Sequence, residues 1–341
     1  MNRLTFQFVL ALAAALAGCQ QPVASNFTLQ RGTQLLAAGS PKSAIPFLSQ
    51  TIASTPDGPE PIAMLALAYA LDLQGERAIL QAREVHRPQG SPPGWELVAV
   101  GIAQMTLHRP ADAVASLQRV VDQVPAESPI SAAARQWLVL AQILKGDHAA
   151  ADKSLQTLAQ SSAMRPSATL WTALIDAYYG RAGQVTEDLT RCGKAVVSAS
   201  GQQALTGSLV GADDQTMYDA AVAATAQGDL DTAQRLFAAV DKRSPEVCDA
   251  SVWLALLAGT RPRDDAQTTR SLLKQACQAG SMQSRGLANQ LFSVVCALED
   301  RPDEMIQSML AGQRMLARHA SPQSVVEQPK PEPVWFSDNM K

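Results

Sequence analysis

Three alanines, Ala44, Ala78 and Ala113, recur at intervals of about 34 residues, and the chain around them repeats one unit: an apolar helix, a turn, a second apolar helix, a breaker. This period constrains the fold more than any other feature. A unit of that length is a helical hairpin that cannot bury its apolar face alone, so successive copies must stack. Composition agrees with an all-α array. Ala, Leu and Gln dominate, aromatic residues make up 5% of the chain, and β-branched residues never gather into alternating runs.

In the first copy, Gly32, Gly39, Ala44, Leu48 and Pro56 occupy small, turn, small, large and breaker positions. This pattern resembles the tetratricopeptide repeat. Small residues at Gly32 and Ala44 let two helices of a hairpin approach, Leu48 is expected to fill the gap towards the next hairpin, and Pro56 stops the second helix. Ile62, Leu65, Ala66 and Tyr69 match the first-helix positions of a second unit around Ala78, and Gly101, Leu117 and Pro125 stand in register around Ala113 in a third. Gly146, Asp147, Ala151 and Leu155 mark a fourth unit, and Trp171, Leu174 and Tyr178 a fifth. Ala221, Gly228, Asp229, Ala233, Phe237 and Pro245 make a sixth nearly as clear as the first. Trp253, Leu256, Leu273 and Ala276 suggest a seventh. A last candidate around Phe292, Cys296 and Met309 lacks the diagnostic small residues and reads as a cap.

The resemblance implies a tetratricopeptide-like α-solenoid of about seven to eight hairpins. Between the fifth and sixth units the spacing stretches by about a dozen residues beyond the usual period. Glycines and serines between Ser198 and Asp214 break helical continuity there. The expected organisation is an N-terminal array over 27–199, a linker over 200–214, a second array over 215–319 and a proline-rich tail over 320–341.

The extreme N-terminus carries a different signal. Leu16-Ala17-Gly18-Cys19 resembles a bacterial lipobox, preceded by Arg3 and by an apolar run from Phe6 to Leu16 too short to span a bilayer. The resemblance implies a signal peptide over 1–18, a covalent lipid on Cys19, and a short tether over 19–26. Gln20 stands where an aspartate would direct retention at the inner membrane, which implies the outer membrane, periplasmic side. In that oxidising compartment Cys248 and Cys277 become a candidate disulfide, because both are nearly equidistant from the Thr260 to Arg263 turn. Cys192 and Cys296 have no evident partner.

Catalytic and metal-binding patterns are sparse. His86, His108, His148 and His319 are scattered without a second ligand at helical spacing, so no metal site is expected, and no cofactor beyond the lipid. Gly207-Ser208-Leu209-Val210-Gly211 lacks the spacing and strand context of a serine nucleophile. Asp213-Asp214 and Asp264-Asp265 sit where carboxylates cap helices. The net charge of −3, with both signs mixed, offers nucleic acid no electrostatic footprint.

Binding is therefore the expected activity, and the chain is expected not to be an enzyme. First helices of tetratricopeptide hairpins line a concave groove, and here they carry Trp95, Trp137, Gln142, Trp171, Tyr178 and Tyr179. Trp137, Trp171, Gln142 and Tyr178 are the candidate groove contacts. The expected role is a lipid-anchored adaptor for protein partners of the cell envelope, assisting pilus or secretion-system assembly. The alternatives are a cell-wall synthase activator or enzyme-accessory subunit, and a purely structural spacer.

Overall fold

The computed structural model describes residues 27–320 apart from 57, 89, 161–164, 245–248, 261–265 and 279–280. Cys19 with its leader, Cys248, Asp264-Asp265 and the proline-rich tail lie outside the described residues. Seventeen α-helices account for the described architecture. Eight hairpins are formed by α1 (Phe27–Ala37) with α2 (Pro41–Ser54), α3 (Pro59–Leu71) with α4 (Gly75–Arg83), α5 (Trp95–Thr106) with α6 (Pro110–Gln123), α7 (Pro129–Leu144) with α8 (His148–Gln160), α9 (Arg165–Tyr178) with α10 (Ala182–Val196), α12 (Asp214–Gln227) with α13 (Leu230–Arg243), α14 (Ala250–Ala258) with α15 (Ala266–Gln278), and α16 (Met282–Leu298) with α17 (Pro302–Ala320). One further short helix, α11 (Ala199–Thr206), lies between the fifth and sixth hairpins.

The two helices of a hairpin are built differently, and this sorts them into layers. In α3 the run from Pro61 to Leu71 is buried on every side except at Tyr69. A helix apolar all round belongs inside a core. By contrast α6 buries only Ala113, Leu117 and Val120, one stripe at helical spacing, and shows its polar face to water. First helices thus form an inner layer and second helices an outer one.

Small residues set the spacing within hairpins. A Cβ added at Gly32 would stand 2.7 Å from Leu48 Cγ, and one at Gly101 2.6 Å from Leu117 Cγ. Leu48 therefore lies over Gly32 of its own hairpin, where the sequence pattern had sent it towards the next. The last hairpin has its small residues after all, in a shifted register. Added Cβ atoms would meet Leu316 Cγ at 2.6 Å from Gly286 and the Gly286 carbonyl oxygen at 2.7 Å from Gly312.

Seven hairpins turn in the same way. The residue closing each first helix region is left-handed: Gly39 (φ 68°), Leu73 (61°), His108 (54°), Gly146 (78°), Gly180 (67°), Gly228 (81°) and Asp300 (54°). The following N–H reaches back to a carbonyl five residues earlier, as in Ser40 to Leu35 at 2.8 Å and Arg109 to Gln104 at 2.8 Å. This is the Schellman turn, which satisfies carbonyls that a helix end leaves free.

Two departures from a plain superhelix stand out. The segment expected as a linker is partly helical: Ser198 caps α11 by accepting from Gly201 N at 3.0 Å, and Gly201 lets α11 approach the Asp219 carbonyl on α12. The sixth hairpin, so clear in sequence, sits off the main stack. Its first helix α12 packs on α10 and α11, whereas α14 of the seventh hairpin takes the next place beside α9 and α10. Close approach of Gly193 to Ala226 and of Gly259 to Ala177 fixes these two crossings. Asp213, as expected, caps α12 by accepting from Thr216 N at 2.7 Å.

Candidate functional site

The inner face of the array is covered along α5, α7 and α9 by the chain itself. Helix α16 lies against α7 and α9, and α17 touches α5. At the far end of this seat, the first turn meets the last helix: a Cβ at Gly39 would stand 2.7 Å from the Leu310 carbonyl oxygen and 2.9 Å from Arg314 Cγ. The last hairpin is thus a bolt across the inner layer, joining the fold's two ends.

This placement decides the state of the candidate groove residues. Trp137 on α7 is 4% exposed, Trp171 on α9 2% and Gln142 on α7 5%, while Tyr178 is half-buried and Tyr179 exposed. Trp95 is buried as well. The two helices carrying Trp137 and Trp171 are the ones that α16 covers, so neither indole is offered to an external partner in this closed form. The candidate disulfide includes Cys248 and lies outside the described residues. Cys277 is half-buried, and Cys192 and Cys296 are buried. Burial pushes the thiols of Cys192 and Cys277 up to about 12 and that of Cys296 up to about 11, which keeps them protonated at neutral pH.

Two polar constellations went unread in the sequence. Asp176 on α9 and Asp188 on α10 act on each other inside the fifth hairpin, and both are buried. Burial raises the Asp188 carboxyl to about 6, Arg191 at 3.0 Å pulls it down, and the Asp176 charge pushes it up. Burial likewise raises Asp176, against the pull of Arg181 at 2.8 Å. Asp152 on α8 stands 4.0 Å from Arg181 on the other side. Each charge raises the cost of ionising the other carboxylate, so the pair gives up its last proton at a higher pH than a lone aspartate does. The signal was an acid within apolar helix: Asp176 follows Leu174-Ile175, and Asp188 shares the stripe of Val185, Leu189 and Cys192.

The second constellation joins the sixth and seventh hairpins. Tyr218 Oη donates to Asp249 Oδ1 at 2.9 Å and accepts from Trp253 Nε1 at 3.1 Å, and all three side chains are buried. Phe237 stacks on Trp253 with centroids 5.5 Å apart. Nothing in this arrangement presents a reacting group to solvent, so its work is positional: it ties the offset hairpin to the main stack. No group of three His, Cys, Asp or Glu side chains suited to a metal ion occurs among the described residues, and no described helix is long and apolar enough to cross a membrane.

No family model matches the chain, and no curated protein matches it. Among solved structures the chain is similar to the crystal structure of the APC/C hetero-tetramer Cut9-Hcn1, at 13% identity with a TM-score of 0.37. The match covers 89% of this chain and 54% of that one, so this chain spans about half the length of its structural neighbour. The fold described above rests on the hairpins themselves.

Proposed function

We propose that the protein is a protein-interaction scaffold, held at the periplasmic side of the outer membrane by a lipid on Cys19. The observation that carries the scaffold reading is the array of hairpins, whose outer layer offers a long one-sided polar surface on second helices such as α6. Repeat arrays of this kind bind through extended surfaces in place of a single deep pocket. The anchor rests on Leu16-Ala17-Gly18-Cys19, and confinement at a membrane raises the effective concentration of the scaffold near partners held there. Assistance to pilus or secretion-system assembly is the specific role we assign.

With α5, α7 and α9 covered, recruitment belongs to the outer layer. Crosslinking in intact cells tests this, with a photoreactive residue replacing the 60% exposed Leu80 on α4 and a second replacing the buried Trp137 on α7. Capture of a component of a pilus or secretion machine at Leu80, and none at Trp137, is the expected outcome. Palmitate labelling should vanish in Cys19→Ala; undiminished labelling removes the anchor. Burial of Trp137 and Trp171 also favours a second reading, a structural spacer. A spacer would capture no partner at any outer position, and its function would depend on the number of hairpins alone.

A further inference from the structure

Helices α6, α7 and α8 enclose a cleft of about 300 Å³ to which the last hairpin contributes no residue. Its polar lining is Gln118 from α6, Arg135 and Gln142 from α7, and Lys153, Ser154 and Thr157 from α8. Arg135 and Gln142 fall seven residues apart, two helical turns on one face of α7. Gln142 is 5% exposed, and its Oε1 has no hydrogen-bond partner among the described residues. A buried amide oxygen in that state is unfavourable until a donor reaches it.

The charges around it are equally unspent. Arg135 makes one long hydrogen bond, Nε to Ser131 Oγ at 3.4 Å, and neither Arg135 nor Lys153 has an ion pair among the described residues. No carboxylate lines the cleft. Asp122, one turn beyond Gln118, accepts from Gln118 Nε2 at 2.8 Å and stays outside the lining. In a chain of net charge −3, two adjacent unpaired cations beside an orphaned acceptor form a site of opposite sign to the whole.

We infer that this cleft binds a carboxylate-bearing peptide segment of a partner protein. The carboxylate, from a Glu or Asp side chain or a C-terminus, pairs with Arg135 and Lys153. A backbone N–H of the same segment donates to Gln142 Oε1. Arginine favours this ligand because its guanidinium fork matches the two oxygens of a carboxylate. The volume lies at the lower end for ligand sites and suits one or two residues of an extended segment, not a helix. This inference rests on the scaffold reading and places one contact of its partner.

The probe is an octapeptide of alternating Ala and Glu with a C-terminal amide and an uncharged fluorophore on its N-terminus, with an Ala and Gln octapeptide blocked and labelled in the same way as its neutral counterpart, followed by fluorescence anisotropy at low and high salt. The Glu peptide should bind and weaken with salt, and the Gln peptide should not bind. R135Q combined with K153Q should weaken binding at least about tenfold, and Q142L by several-fold with the salt dependence retained. Arg77→Gln, an exposed charge on α4, should change nothing, and circular dichroism confirms that each variant is folded. Equal binding of the Gln peptide, absence of Glu-peptide binding, or equal loss in Arg77→Gln overturns the inference. Binding of the Glu peptide only to a chain ending at Ala320 also overturns it, because the occupant is then the chain's own tail. Partner capture at position 80 that persists in R135Q/K153Q would remove the cleft and leave the scaffold standing; absence of capture at position 80 with Arg135 and Lys153 intact would remove the scaffold.

Discussion

Replacing Gly39 by alanine separates the cost of a turn from the cost of opening the array, because Gly146 supplies a matched control. Both glycines are left-handed, at φ 68° and 78°, and both close the first helix of a hairpin. Alanine in that backbone region costs about 1–2 kcal/mol wherever it is placed. Around Gly146 no atom lies within 4 Å of an added Cβ, so Gly146→Ala should cost that strain alone. At Gly39 the same methyl would lie 2.7 Å from the Leu310 carbonyl oxygen, on backbone that cannot swing aside. Overpacking of this kind adds about 1–3 kcal/mol unless the last hairpin moves away. Gly39→Ala should therefore lose about 2–5 kcal/mol by urea unfolding followed by circular dichroism. Small-angle scattering should show a larger radius of gyration for Gly39→Ala and an unchanged one for Gly146→Ala. Equal losses for the two variants, with equal radii, would refute the bolt.

Other substitutions probe the remaining structure. Tyr218→Phe removes the hydroxyl that donates to Asp249 and accepts from the Trp253 indole N–H, so it should cost about 2–4 kcal/mol in urea unfolding, against less than 1 for exposed Tyr179→Phe. His108→Gly relieves an exposed left-handed residue and should raise stability by about 1 kcal/mol; a loss would mean the turn is not strained. The folded Asp188 carboxyl titrates at about 6, above its ordinary value of 3.8, so the folded state holds an extra proton between those values. Its stability contribution is complete below about pH 4 and disappears as pH rises through 6, a fall of about 2–3 kcal/mol that Asp188→Asn should flatten. A stability profile with the same slope in Asp188→Asn would assign the titration elsewhere.

The repeat unit was legible because its chemistry is local. Gly32 with Leu48, and Gly101 with Leu117, meet within one hairpin at a fixed sequence distance, so a period records them. Turns were half legible: glycine announces a left-handed residue at Gly39 and Gly228, but Leu73, His108 and Asp300 adopt the same conformation under pressure from the helices on either side. The seat of the last hairpin was not legible at all. It joins Gly39 to Leu310 across most of the chain, and no spacing in a sequence records a contact of that range. For the same reason Trp137 and Trp171 read as residues of an open groove, although a helix apolar on every face, such as α3, already implied that something must cover the inner layer. Gln142 was singled out for that groove; its residue instead lines the outer cleft, where Arg135 and Lys153 had no motif to announce them.

A bolt made last has a consequence for how the molecule comes into being. Synthesis runs from the N-terminus, so α5, α7 and α9 exist well before the residues from Met282 onward that will cover them. For that interval the nascent protein is an open spiral lined with tryptophan and leucine, a sticky object by any standard of solubility. A ribosome stalled or a message cut short before this hairpin would release a chain that holds the seven earlier hairpins yet is unfinished in surface. Quality control in the cell would see such a product as foreign, and the abundance of the protein would hinge on its final forty residues of helix more than on any earlier stretch of equal size.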